Sequence, residues 1–156
     1  MKIHAILDEG LVLPRLEARD RAGVLAEMSA RLEARHAPAL DGSLLEKLLK
    51  REELGTTAIG KGVAVPHCRA KGIKAPALLL GLSPEGVAFE AVDGHPSHVF
   101  FLLVSPEDNP GAGLRLLAAI AGLVRRSRSL SSKLLKAPTP AEIIGVLKSE
   151  EEKVRA

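Results

Sequence analysis

The chain has 156 residues and a mass of 16.5 kDa, which is enough for one domain with a substantial core and too little for two. Hydrophobic residues make up 46% and charged residues 26%, a balance that excludes a disordered chain. The net charge is +3, and the main basic excess is a cluster at 125–128. Nucleic-acid binding favours a broad basic patch with stacking aromatics, and 2% aromatic residues do not supply one. We therefore predict a single domain, residues 1–156, that does not bind nucleic acid.

The cysteine content and the length of the apolar runs indicate the cellular compartment of the protein and whether it spans a membrane. Cys68 is the only cysteine, so no internal disulfide can form, and the start MKIHAILDEG lacks the apolar segment of a secretory signal. The longest apolar runs, 75–82 and 99–104, are far shorter than the ~20 residues that cross a bilayer. These features predict a cytoplasmic protein without a membrane span.

The first half of the chain predicts an edge strand followed by two helices. Residues 11–16 (LVLPRL) suit an edge strand, because Pro14 cannot donate to a sheet. Asp20 is a candidate N-cap for a helix from Arg21 to about Arg35, which the sequence HAP at 36–38 should end. A second helix is expected to begin near 41–43, with leucines at four positions along one face: Leu44, Leu45, Leu48 and Leu49.

The middle of the chain is typical of strands. Residues 57–65 (TAIGKGVAV) predict two short extended pieces joined by a tight turn, with His67 just past their end. The runs at 76–83 and 98–105 are continuously apolar, as in strands buried on both faces.

The last third predicts helices. Residues 106–113 (PEDNPGAG) have loop composition, and helical spacing follows them. A short helix is expected at 130–136, then a final one with Thr139 as N-cap, before a polar tail (EEEKVRA) that should fray. The order of elements predicts an α/β fold, a mixed sheet with helices on both faces.

His67 is the leading candidate for chemistry. A neutral imidazole is a good nucleophile near pH 7, and a phosphoryl group on its nitrogen remains labile enough to be passed on. Pro66 fixes its own φ and favours extended geometry at Val65, so it would present His67 rigidly. The competing interpretation is a histidine in an ordinary turn.

Other residues carry weaker signals. Arg51, near the end of the second helix, suits a phosphoryl group, although a solvated helix-terminal arginine is common. Cys68 with His67, His95 and His98 fits no usual zinc spacing. Three further groups are best explained as turns or ordinary polar positions: the glycines 55, 60 and 62; His95 and His98; and Ser105 with Glu107 and Asp108.

The stretch REELGTTAIGKGVAVPHCR, residues 51–69, resembles the active-site signature of the fructose/mannitol type of enzyme IIA domain of the phosphoenolpyruvate-dependent sugar phosphotransferase system. That family includes the stand-alone nitrogen-regulatory IIA proteins. The likeness covers nearly the whole chain, including SPEG at 83–86, DGHP at 93–96 and SPEDNP at 105–110.

The resemblance implies a mixed α/β sheet with flanking helices and a phosphohistidine at His67. It implies HPr, or a nitrogen-branch paralogue of HPr, as phosphoryl donor, an enzyme IIB cysteine as acceptor in sugar branches, and Arg51 as a phosphoryl-binding residue. No metal, nucleotide or other cofactor is implied. Many members have a second histidine where Gly113 stands here, and no histidine follows position 98 in this chain.

Three functions remain open on the sequence. The chain could be a phosphotransferase component of sugar uptake, or a regulatory module whose phosphorylation state controls partners. The third alternative is a member that binds partners without accepting phosphate, as the glycine at 113 allows. The absence of fused IIB, IIC or HPr-like segments favours the regulatory type, and the oligomeric state is left undetermined.

Overall fold

The computed structural model describes residues 2–36 and 39–155, and six α-helices and six strands lie within them. The helices are α1 (Ile3–Ile6), α2 (Arg21–His36), α3 (Leu44–Glu53), α4 (Pro110–Arg126), α5 (Leu130–Lys136) and α6 (Pro140–Arg155). The strands are β1 (Val12–Leu13), β2 (Ala58–Gly60), β3 (Val63–Ala64), β4 (His67–Ala70), β5 (Ala77–Val87) and β6 (Ser97–Pro106).

The strands form one mixed sheet. Its order is β1-β5-β6-β3-β2, and β4 also pairs with β6 beyond the end of β3. The long strands β5 and β6 pair antiparallel. They are central in the sheet, as their apolar runs predict. β1 pairs parallel to β5, while β3 and β4 both pair parallel to β6. The predicted edge position of the Pro14 segment is confirmed, because β1 lies at one end of the sheet.

Each face of the sheet is covered by its own layer of helices, because neighbouring residues of a strand point to opposite faces. Leu79 and Phe100 pack with apolar side chains of α2 and α3. Leu80 and Phe101 pack with those of α4, α5 and α6. The predicted mixed sheet with helices on both faces is thus confirmed. No helix within 2–36 and 39–155 has the length and hydropathy of a membrane span.

The predicted helix starts are confirmed by their caps. The Asp20 carboxylate accepts a hydrogen bond from the Gly23 N–H at 2.7 Å, and the Thr139 hydroxyl accepts one from the Glu142 N–H at 3.2 Å. α2 runs to His36, close to its predicted end. The other residues of the predicted stop, Ala37 and Pro38, lie outside the described residues.

Two predicted boundaries are wrong. The loop expected at 106–113 ends at Asn109, because Pro110 suits the first position of a helix and starts α4. The polar tail does not fray, since α6 continues to Arg155. Its Glu151 carboxylate accepts the backbone N–H of Ile3 at 2.7 Å, which attaches the last helix to α1.

Candidate functional site

The backbone around His67 is held from both sides. The Val65 N–H donates to the Thr57 carbonyl at 2.9 Å, and the Pro66 carbonyl accepts the Leu103 N–H at 3.0 Å. His67 then begins β4, in register with Leu103 of β6. It lies just past the end of β3, as predicted, and it also begins a further strand, which was not predicted.

A short contact orients the imidazole of His67. Its Nδ1 lies 2.7 Å from the carbonyl oxygen of Val65. A carbonyl oxygen can only accept, so in the neutral ring Nδ1 carries the proton and Nε2 keeps its lone pair. The ring is half-buried, and Nε2 is its remaining nucleophilic atom.

The glycines before His67 form a turn. Gly60, Lys61 and Gly62 all have positive φ, at 96°, 55° and 77°, so the hairpin between β2 and β3 needs glycine at its outer positions. The Lys61 N–H donates to Asp93 at 3.1 Å. The His95 N–H and, to a lesser degree, the Lys61 N–H lower the pKa of Asp93. The interpretation of these glycines as turn residues agrees with this geometry.

Arg51 lies in the last turn of α3 and reaches the same site. Its Nη1 donates to the Gly55 carbonyl at 2.9 Å, which uses one of the five N–H donors of the guanidinium. The next residue, Glu52, is buried and accepts both the N–H of Thr57, at 3.2 Å, and its hydroxyl. This pair fixes the end of α3 against the segment that leads to His67.

Arg51 and His67 line one cavity of about 310 Å³, although 16 positions separate them in the sequence. Strand β4, the end of β6 and the first turns of α4 form the rest of its wall. The lining residues are Arg51, His67, Cys68, Arg69, Leu103, Ser105, Pro110, Gly113, Leu114 and Leu117. The structure therefore brings together the two residues that the sequence singled out.

Gly113 lies in the first turn of α4, directly against Ser105. A Cβ atom built on Gly113 would lie 2.6 Å from the Ser105 Cβ and would overlap the Ser105 hydroxyl. No side chain fits at this position unless Ser105 moves. Ser105 was not predicted to be a site residue, because only the packing of α4 on β6 shows this contact.

The charges around the cavity favour an anion. Arg51 and Arg69 supply two guanidinium groups, and no acidic side chain is among the lining residues. The first turn of α4 also lines the cavity, and Asn109 makes no side-chain capping bond there, so the positive end of the helix dipole is not covered by its own cap. Arg69 was missed from the sequence. It lies two residues after His67 and therefore on the same face of β4, which was not predicted as a strand.

Cys68 lines the edge of this cavity but packs mainly into the core, and the other histidines lie outside the cavity. Cys68 packs against the core on the α2 and α3 side of the sheet, and burial raises the pKa of its thiol to about 11. His98 contacts the Ser83 carbonyl, at 2.9 Å, and His4 contacts Glu151, at 2.8 Å. Across the described residues, no three His, Cys, Asp or Glu side chains are grouped as metal ligands.

Comparison with known proteins gives a family. Residues 5–150 match the model described as "Phosphoenolpyruvate-dependent sugar phosphotransferase system, EIIA 2". The chain is 35% identical to a nitrogen regulatory protein of Pseudomonas aeruginosa over 140 residues, 89% of this chain and 90% of that one. It is 29% identical to the fructose-specific EIIABC component of Bacillus subtilis over 94% of its own length, but spans only 23% of that protein.

The crystal structure of nitrogen regulatory protein IIA-Ntr from Neisseria meningitidis superimposes with a TM-score of 0.80. Sequence identity is 28%, and the match covers 93% of this chain and 98% of that one. The family match and the shared fold agree. The chain belongs to the EIIA 2 family of the phosphoenolpyruvate-dependent sugar phosphotransferase system.

Proposed function

We propose that the chain is a phosphocarrier that accepts a phosphoryl group on Nε2 of His67 from phospho-HPr or a nitrogen-branch paralogue of HPr. The observation that carries the proposal is the 2.7 Å contact between His67 Nδ1 and the Val65 carbonyl oxygen. Because this contact keeps the proton on Nδ1, it leaves Nε2 as the nucleophile. Membership of the family supports a phosphohistidine in general, and the contact supports the choice of atom.

In the transfer, the lone pair of His67 Nε2 attacks phosphorus in line with its bond to the donor nitrogen. A P–N bond to His67 forms while the donor's P–N bond breaks. The donor ring carries a proton on its other nitrogen, so it leaves with that electron pair as a neutral imidazole. The Nδ1 proton stays on His67, where the Val65 carbonyl stabilises the positive charge that the ring acquires. No net proton and no water are consumed, so the step can run in either direction.

Arg51 is the proposed phosphoryl-binding residue. Phosphoryl transfer depends mainly on alignment and on stabilising charge spread over the three equatorial oxygens. The Gly55 carbonyl holds the guanidinium at the cavity by one N–H, and the other donors remain for phosphoryl oxygens. The first turn of α4 would add the favourable end of a helix dipole.

What happens to the phosphoryl group after its transfer distinguishes a sugar-transport function from a regulatory one. A sugar branch would pass it to a cysteine of an enzyme IIB domain, whereas a regulatory member would use the charge change itself. The 35% identity with a nitrogen regulatory protein favours the second. A phosphoryl group adds about −1.5 to −2 charges. That change is large beside the chain's net +3, and a partner that docks at the cavity would detect it.

The first experiment mixes the protein with labelled phosphoenolpyruvate, enzyme I and several HPr paralogues. We expect acid-labile label on the wild type and on His95→Ala, which removes an exposed histidine outside the cavity, and none on His67→Ala. Label retained by His67→Ala would overturn the assignment of the nucleophile. Absence of label from all three proteins would favour a partner-binding member that does not accept phosphate.

A second experiment separates transport from regulation. Labelled protein is freed of donor and incubated with IIB domains, and the label on each partner is followed over time. Transfer to a IIB cysteine would establish a transport role. If no IIB domain discharges the label, partners should be sought whose binding differs between the phosphorylated and unphosphorylated protein.

A further inference from the structure

Ser105 has a hydroxyl that the structure leaves available beside His67. The residue is 9% exposed and lines the cavity that also holds His67, Arg51 and Arg69. Within residues 2–36 and 39–155, no side-chain hydrogen bond engages this hydroxyl. A hydroxyl is both a donor and an acceptor, so it is free to donate to a group that enters the cavity.

The register of the sheet places Ser105 on the same face as His67. His67 pairs with Leu103, and Ser105 follows two positions later on β6, where it pairs with Arg69. Side chains two positions apart in a strand point the same way and lie ~7 Å apart along it. Both side chains therefore face α4 and line the same cavity.

Gly113 makes the position of this hydroxyl possible. A Cβ on Gly113 would overlap the Ser105 hydroxyl, so the hydroxyl lies in the space where α4 lacks a side chain. Ser105 belongs to β6, and the first turn of α4 packs against its side chain. The hydroxyl therefore lies at the wall of the cavity, between β6 and the first turn of α4.

We propose that Ser105 binds the phosphoryl group, its O–H donating to a non-bridging oxygen of a phosphoryl carried on His67 Nε2, and that Gly113 admits this hydroxyl. The inference rests on the proposed function, because it needs a phosphoryl group at His67. The bond would be charge-assisted, and such bonds are stronger than those between neutral groups. Ser105 joins Arg51 as a group that touches the transferred phosphoryl.

The test uses chemical phosphorylation of the full-length protein with potassium phosphoramidate, which needs no protein donor. Phosphorus-31 NMR then gives the pKa of the phosphoryl group, and the signal missing from His67→Ala identifies the group on His67. A donor to the dianion favours the charged form and lowers that pKa. Ser105→Ala should therefore raise the phosphoryl pKa, with a roughly tenfold to hundredfold change in its protonation constant, the size expected for one charge-assisted hydrogen bond.

Two further variants separate binding from packing. Ser97→Ala removes another buried serine of β6, away from the cavity, and should leave the phosphoryl pKa at the wild-type value. Gly113→Ala keeps the Ser105 hydroxyl but displaces it, and should raise the pKa as Ser105→Ala does. A phosphoryl pKa in Ser105→Ala equal to that of Ser97→Ala would overturn the inference.

The outcomes also distinguish this inference from the proposed function. If phosphoramidate labels His67 and Ser105→Ala shifts the pKa, but no HPr paralogue transfers a phosphoryl group, the inference holds and the carrier function fails. If HPr labels His67 and Ser105→Ala shifts nothing, the carrier function holds and the inference fails. If phosphoramidate places no phosphoryl group on His67, the cavity does not accept one, and the inference fails as well.

Discussion

The carboxylate of Glu52, in the last turn of α3, accepts hydrogen bonds from both the backbone N–H and the hydroxyl of Thr57. Both residues are buried, at 5% and 4% exposure. The pair joins the helix that carries Arg51 to the segment that leads to His67. It therefore stabilises the relative position of the two proposed site residues without touching the cavity.

Glu52→Ala should destabilise the protein by about 1–3 kcal/mol, because it leaves two buried donors of Thr57 without a partner. The neighbouring Glu53 is exposed and provides a matched control, for which we expect a change within about 0.5 kcal/mol. Urea unfolding measures both. Equal midpoints for the two variants would show that the Glu52–Thr57 pair contributes nothing to stability.

Gly113→Ala should also destabilise the fold, by about 1–3 kcal/mol, because its Cβ would be forced against Ser105. The double variant Ser105→Gly/Gly113→Ala removes the side chain on the other side of the contact. Urea unfolding of the two single variants and the double variant gives their coupling energy. The double variant should be more stable than the sum of the single changes predicts, and simple additivity would contradict the contact.

The pH dependence of stability should reflect Glu150. Burial of this carboxyl disfavours its charge, but hydrogen bonds from Ser127, Lys133 and Lys153 outweigh that effect and lower its pKa to about 2. Since its ordinary value is 4.5, the stabilisation is fully present above that pH and is lost as the pH falls towards 2.

Glu150→Gln should accordingly be less stable than the wild type at neutral pH, and the difference should shrink steadily below pH 4.5. Glu152 is exposed on the same helix, so Glu152→Gln should follow the wild-type profile. Unfolding free energies measured between pH 3 and pH 7 test this. A Glu150→Gln difference that stays constant over the range would contradict the assigned pKa.

Cys68 should be nearly inert, although it is adjacent to His67. With its pKa raised to about 11, against an ordinary value of 9.0, the reactive thiolate is about a hundredfold scarcer at pH 8. Alkylation by iodoacetamide should be slower than in urea-unfolded protein by at least that factor. Equal rates for folded and unfolded protein would show that the thiol is neither buried nor shifted.

The sequence predicted the central strands and most helices because their signals are local. The apolar runs of β5 and β6 and the caps at Asp20 and Thr139 can be recognised within a few residues. The mixed sheet followed from the order of these elements. The family comparison and the structure confirm both the family and the fold class.

Long-range contacts could not be predicted in the same way. α6 stays helical through a polar stretch because Glu150 and Glu151 bond to residues over 20 and over 140 positions away. β4 carries the mixed sequence HCRA and becomes a strand only by pairing with β6. The glycine at 113 was visible in the sequence, but its close contact with the Ser105 hydroxyl appears only once α4 packs on β6.

A final prediction concerns the number of folding units. Leu79 and Leu80 are adjacent in β5 and fully buried, yet they belong to the core layers on opposite faces of the sheet. If residues 1–156 form one domain, as we propose, a destabilising substitution in either core layer must lower the free energy of unfolding of the entire domain. Leu79→Ala and Leu80→Ala should each lower the free energy of unfolding by about 2–5 kcal/mol. Each variant should still unfold in one transition, with Cys68 alkylation and far-UV circular dichroism changing together. Two separated transitions in either variant would show that the layers fold independently.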